Sequence, residues 1–382
     1  MLSMKKLSVV GVAAAVWLGL APQVQAGTFS DTGAAVLIWP TIVVTEDYDT
    51  VVQITNQAAV PSAAHCFYVN ANSRCTNTGQ VCDTSTECES GGFFGACVPG
   101  WIEVNFDVLL TRDQPLAWSA AAGLRNSDLP CPGGIGNTCP GSNAGTRIPP
   151  VGEEPFIGEL KCIESDPITR LPIPCNDAQA NRCRNDLEGG ATITGVVDGG
   201  IDPERYNAVG LRSAGQNNGD NTLVIGSTPG DPTIAEYQPC SQVLVFNHMF
   251  DGAVDPIDSA NVYTSSLTLV PCTEDFLIQR VPHVTAQFLV YNEFEQRFST
   301  SRPVDCLLSS DISNIDTTQS TRSIFSAAVA GTVAGQTRIT GVGGGLIGNA
   351  FLFTFNGEEF SGAGYNLNQF ADRDEPDFIR IP

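Results

Sequence analysis

Short β-rich runs, bounded by Gly, Pro and Asn, recur along the chain. Several alternate apolar and polar residues, the pattern of strands with one buried and one solvated face. The runs are Ala35 to Pro40, Thr50 to Asn56, Cys66 to Asn70, Trp101 to Leu110, Gln242 to Asn247, Ser266 to Val270, Gln287 to Asn292 and Phe351 to Phe355. Alternation is plainest in Val51-Val52-Gln53-Ile54-Thr55-Asn56. Phe351 to Phe355 runs into Asn356-Gly357, a tight-turn pair that predicts a hairpin. The 38 Gly residues and the low charged fraction, 16%, favour strands and turns over long helices, so the expected class is all-β.

Landmarks recur in the same order in two halves. Pro40 and Pro271 end apolar runs; Ile54-Thr55-Asn56 matches Val290-Tyr291-Asn292; Cys66 matches Cys306; Trp118-Ser119-Ala120-Ala121 matches Phe325-Ser326-Ala327-Ala328. Ile193-Thr194-Gly195-Val196 then recurs as Ile339-Thr340-Gly341-Val342, Asn207-Ala208 as Asn349-Ala350, Phe246-Asn247 as Phe355-Asn356, and Gly252-Ala253 as Gly362-Ala363. The spacing between matched positions falls in three steps, which places additions in the first copy near residues 70–100, 125–187 and 209–242. The reading is two tandem antiparallel β-sandwich domains of immunoglobulin-like size, residues 27–258 and 259–382, with long disulfide-stapled loop inserts in the first. The Cys-Trp-Cys pattern of true immunoglobulin domains is missing, and an eight-stranded jelly roll is the second architecture of the right size.

Charge and the N-terminus set the compartment. With 41 acidic against 19 basic residues the net charge is -22, which repels phosphate backbones and argues against nucleic-acid binding. Lys5 and Lys6 precede an apolar run from Leu7 to Leu20 and the small residues Val24-Gln25-Ala26. That is the pattern of a signal peptide over residues 1–26, and the run is too short to span a bilayer. No later apolar stretch is long enough to cross a membrane, so the expected product is exported, without a transmembrane span. Lys161 is then the sole lysine left.

In an exported chain, 13 cysteines predict disulfides. No C-x-x-C occurs, which argues against zinc. Ten cysteines fall in the additions: Cys75, Cys82, Cys88, Cys97, Cys131, Cys139, Cys162, Cys175, Cys183 and Cys240. They are expected to pair among themselves in an order the sequence leaves open. Of the framework cysteines, Cys272 is expected to pair with Cys306, because Thr41 stands at the position matching Cys272. Cys66 is left as the free thiol.

The first addition carries Phe93 and Phe94 in a polar, glycine-rich setting, making them candidate contacts for a protein or glycan partner at the cell surface. The other use of these rings is to cover a disulfide or the sandwich end. His65, His248 and His283 read as structural, and neither G-x-S-x-G nor H-E-x-x-H occurs. Gly343 to Gly348 fits G-x-G-x-x-G, but strands on both sides make it a hairpin loop rather than a nucleotide site. No cofactor is expected, with calcium held open at Asp251, Asp255 and Asp258 near the domain junction. Asp372, Asp374 and Asp377 form a second acidic group, and the tail Ala371 to Pro382 is expected to end in a strand.

The function expected is a non-catalytic structural, adhesion or binding protein of the cell envelope, cell surface or medium, with the periplasm as a further address. A secreted hydrolase using carboxylates of the additions on glycans is the alternative. A periplasmic assembly chaperone with two sandwich domains is the weaker one, since it would need a basic cleft.

Overall fold

The computed structural model describes residues 28–29, 32–90, 92–124, 147–175, 184–195, 203–214, 217–227, 235–318, 322–356 and 360–382. The expected signal peptide and Cys131, Cys139 and Cys183 lie outside them. The described chain is nearly all β, in several antiparallel sheets.

The first sheet has the order β1 (Thr28–Phe29), β14 (Val209–Leu211), β2 (Val36–Val44), β11 (Phe156–Glu164), β4 (Ser62–Asn70), β9 (Ile102–Leu110). Its central strands are buried on both faces, so VLIWPTIVV in β2 reads as continuous apolar sequence rather than alternation. The second sheet is β10 (Pro115–Ser119), β3 (Tyr48–Asn56), β12 (Leu187–Gly195), β13 (Glu204–Asn207). The two sheets share a core around Trp39, Ile54, Tyr68, Trp118 and Leu160. There the Trp118 indole donates to the Tyr68 hydroxyl at 2.6 Å.

The third sheet is β21 (Arg297–Asp305), β20 (His283–Asn292), β23 (Ala334–Val342), β16 (Ser241–Met249), β26 (Asn368–Asp372). The fourth is β17 (Ala253–Val254), β18 (Val262–Pro271), β24 (Leu346–Phe355), β25 (Phe360–Asn366), with β22 (Leu308–Asp311) also on β18. They enclose a second core of Phe246, Leu267, Phe288, Phe325 and Ile339. In the fifth sheet β15 (Thr222–Ile225), β27 (Asp377–Arg380) and β19 (Glu274–Asp275) pair in that order, β27 lying parallel to β19. A third core joins the outer face of the first sheet (Ile38, Phe67, Ile163) to Leu223, Phe276 and Ile379. Five sheets give the outline of a five-bladed propeller, but propeller blades are built from consecutive strands. Here each large sheet draws on distant parts of the chain.

Several expectations change. β16 pairs with β23 and β26, so the second set of sheets begins near residue 241 rather than 259. β16 and β24 therefore lie in the same half, and the Phe246/Phe355 and Gly252/Gly362 matches are not equivalent positions. Trp118 sits on β10, whereas Phe325 leads into α1 (Ala327–Ala330). The addition at 125–187 is not a loop throughout, since it supplies β11, paired on both sides. Asn56 and Asn292 do correspond. Each ends its strand, accepts the backbone N–H two residues on (2.9 and 3.0 Å) and donates to a distant carbonyl, of Thr111 and Ala330.

The disulfides depart from expectation because pairing follows strand register. Cys66 and Cys162 stand opposite each other on antiparallel β4 and β11 and are bonded, so Cys66 is not the free thiol. Cys272 bonds to Cys240 rather than Cys306, and Cys306 is a free, buried cysteine. Cys75–Cys88 and Cys82–Cys97 close within the first addition, and Cys175 is also bonded.

The Gly343-Gly344-Gly345 segment crosses from the third sheet to the fourth and is not a hairpin loop. A Cβ on Gly345 would lie 2.5 Å from Asp377 Oδ2 and 2.9 Å from Cys240 Cβ, so the backbone passes close beneath the Cys240–Cys272 bridge. β25 pairs with β24 as the Asn-Gly signal predicts, and the C-terminal tail forms β27.

Candidate functional site

The first addition is a small module built on its own disulfides. β5 (Arg74–Cys75) pairs with β8 (Cys97–Val98), β6 (Glu89–Ser90) with β7 (Phe93–Phe94), and the cysteines form the module's own buried cluster. Asn77 Nδ2 donates to the Cys88 carbonyl at 2.6 Å, and Arg74 pairs with Glu153 at the module's base. Phe93 is 75% exposed and Phe94 79%. Both rings are thus mostly open to solvent, two adjacent aromatics on a tip held by two disulfides.

Asp251, Asp255 and Asp258 do not converge. Asp255 Oδ1 accepts the backbone N–H groups of Ile257 (2.7 Å) and Asp258 (3.1 Å), and its other oxygen accepts from the Tyr263 hydroxyl. Asp258 accepts from Ala260 N, and Asp251 from the Thr264 hydroxyl. Asp255 and Asp258 thus serve their own turn, and Asp251 ties to β18. In the second acidic group Asp377 is buried, accepting from Gly345 N and the Thr273 hydroxyl.

Each histidine has a polar side-chain partner. Nδ1 of His65 lies 2.7 Å from Asp107, whose other oxygen is taken by Arg170. Burial pushes His248 down to about 4; its Nε2 lies 2.8 Å from the Thr337 hydroxyl beside a cavity of about 480 Å³. His283 pairs with Asp305 at the surface.

Where the two halves meet, a cavity of about 270 Å³ is lined by Thr41, Tyr48, Glu204, Thr268, Phe351 and Phe353. Thr41 Oγ1 donates to Asn349 Oδ1 at 2.8 Å, and Tyr206 donates to the Thr41 carbonyl beside it. Glu204 is 5% exposed, its Oε1 has no protein partner, and burial pushes the carboxyl up to about 7. Among 41 acidic residues nothing in the sequence distinguished it. Such a group can hold a proton near neutrality and give it to a polar guest.

Among the described residues no helix is long and apolar enough to cross a membrane. The described disulfides fit an oxidising, non-membrane setting. No family model matches the chain, and no curated protein does. Among solved structures it is similar to a crystal structure of Thermotoga maritima 1070, at 6% identity over 35% of this chain and 98% of that one. The TM-score is 0.25, so the likeness bears on neither fold nor function.

Proposed function

We propose that this is an exported, non-catalytic protein of the cell envelope, cell surface or medium, which binds a protein or glycan partner through the first addition. Its two halves are read as tandem β-sandwiches of immunoglobulin-like kind. Support for that reading comes from each half enclosing its own core between two sheets. The observation that carries the functional reading is the exposed Phe93–Phe94 pair on a tip held by Cys75–Cys88 and Cys82–Cys97. Exposed aromatics lose little conformational entropy on docking when their backbone is already fixed, and aromatic anchors dominate many interfaces.

The hydrolase reading gains little. Glycoside hydrolysis uses two facing carboxyl groups, and among the described residues Glu204 is the one acid lining the cavity at the junction. The chaperone reading would need a basic cleft in a chain of net charge -22.

The test is to add purified mature protein, and a Phe93→Ser/Phe94→Ser variant with both staples verified, to source cells and isolated envelopes. Wild type should sediment with them and the variant remain in the supernatant. Equal partition of the two proteins would overturn the role of the tip. Fractionation and surface proteolysis of source cells check the address.

A further inference from the structure

Lys161 is buried against two glutamates at the seam between the halves. It lies on β11, where side chains alternate between faces: Leu160 and Cys162 enter the first core, while Ile163 enters the core shared with the fifth sheet. Glu159 and Lys161 share the Ile163 face. Lys161 Nζ lies 2.9 Å from Glu159 Oε1, contacts Glu274 Oε2 from β19, and lies 3.3 Å from the Pro271 carbonyl. The side chains of all three charged residues are 0% exposed. Trp101 Nε1 donates to the other Glu274 oxygen at 3.0 Å, and Phe276, two residues on, stacks on Phe67 with ring centroids 4.1 Å apart. Among the described residues no group donates to Glu159 Oε2, and the Glu159 and Glu274 carboxyls lie in contact.

Two carboxylates and one ammonium would leave a net negative charge in a dry site. Burial, and then the neighbouring Glu274, hold the Glu159 carboxyl well above the usual range and favour its protonated form. The remaining ammonium–carboxylate pair is desolvated, which costs both ions their hydration. One covalent outcome removes both charges and expels a water.

We propose that Lys161 and Glu274 condense into a side-chain amide that ties the two halves together, with Glu159 relaying the proton. Transfer of a proton from the Lys161 ammonium to the Glu274 carboxylate gives a neutral amine and a carboxylic acid. The amine lone pair attacks Glu274 Cδ, forming the C–N bond. Glu159 Oε1 takes a proton from Nζ while the proton on Oε2 passes to the departing hydroxyl. The C–O bond breaks, water leaves, and Glu159 ends protonated as it began. No oxidant or external reactant is needed. Two carboxyls beside one amine, one as electrophile and one as relay, are the parts this step requires.

The test uses the secreted, disulfide-bonded protein. After reduction and alkylation, intact mass should be short by one water, and peptide mapping should find a branched peptide joining residues 161 and 274. Lys161 is the sole lysine after residue 26, so a lysine-specific endoprotease should fail to cut the denatured mature chain. Glu159→Gln keeps amine and electrophile; it should restore the full mass and the cleavage. Glu274→Gln should lose one ammonia instead of one water if the link still forms, which identifies the electrophile. Full mass and clean cleavage after Lys161 in the folded wild type would overturn the proposal and leave an ion cluster. Because that measurement is on wild type, failure of a variant to fold cannot hide the answer.

Discussion

Replacing Glu204 by Gln should leave stability nearly unchanged in mild acid and raise it in mild base. The carboxyl is pushed by burial from 4.5 up to about 7. An acid that binds its proton more tightly in the folded state gives full stabilisation below its unfolded pKa, and loses it as pH rises towards the folded one. Wild type should therefore weaken between about pH 4.5 and pH 7, as the unfolded chain ionises first. The displacement sets a ceiling of about 3 kcal/mol. Water reaching the cavity mouth screens the charge and reduces this to about 1–2 kcal/mol. Glu164, a buried carboxyl also raised to about 7, titrates in the same window. It is present in both proteins, so their difference isolates Glu204. Urea unfolding at about pH 5 and about pH 8 measures it, with midpoints compared at constant slope. Parallel loss of stability in wild type and Glu204→Gln would refute the reasoning, as would a variant weaker than wild type at the higher pH.

Removing the Cys66–Cys162 bridge with a Cys66→Ala/Cys162→Ala variant opens a loop of 96 residues. The chain-entropy estimate for such a loop is about 4–5 kcal/mol; the nested Cys75–Cys88 and Cys82–Cys97 bridges shorten the loop and favour the lower figure, and a loss below about 1 kcal/mol in urea unfolding would contradict it. Gly345→Ala should cost about 2 kcal/mol, because the added methyl meets Asp377 and Cys240; an unchanged denaturation midpoint would show that the crossing segment has room to move. Millimolar calcium should leave the melting temperature where it is, since Asp255 and Asp258 already accept bonds from their own turn and Asp251 from Thr264 on β18. A clear rise on adding calcium, reversed by chelation, would show that these carboxylates can turn to a common ion.

Strands were legible both where one face is solvated and, as in β2 and β4, where a continuous apolar run is buried on both faces. β3 and β20 alternate buried and open positions, and both end at asparagines the repeat had matched. β11 escaped because FIGELKCIE places Glu159, Lys161 and Glu164 among apolar residues, a pattern that reads as polar loop until a partner for the charges is known. The partner of Lys161, Glu274, is 113 residues away and across the seam. Cysteine pairing failed for the same reason: Cys66 and Cys162 are brought together by the register of β4 on β11, and assigning Cys162 to a loop removed that register from consideration. The exposure of Phe93 and Phe94 was legible because it is a local property of a polar, glycine-rich hairpin between staples.

The error in the domain boundary has a physical cause as well. β16 supplies a central strand of the third sheet, between β23 and β26, yet its sequence resembles that of β24. Strands that bury similar aromatic residues in similar pleats look alike whether or not they are equivalent. Phe246 and Phe355 both follow a β-rich run and precede Asn, but Phe246 is fully buried and Phe355 is 47% exposed. What separates them is the covering layer, and that layer comes from elsewhere in the chain. The same reasoning applies to the C-terminus. Asp377 to Arg380 is stable as a strand because β15 and β19, from the two different halves, flank it. The tail therefore joins halves that the linear sequence presents as separate, on the same side as the Lys161 cluster, whose partner Glu274 is itself a residue of β19.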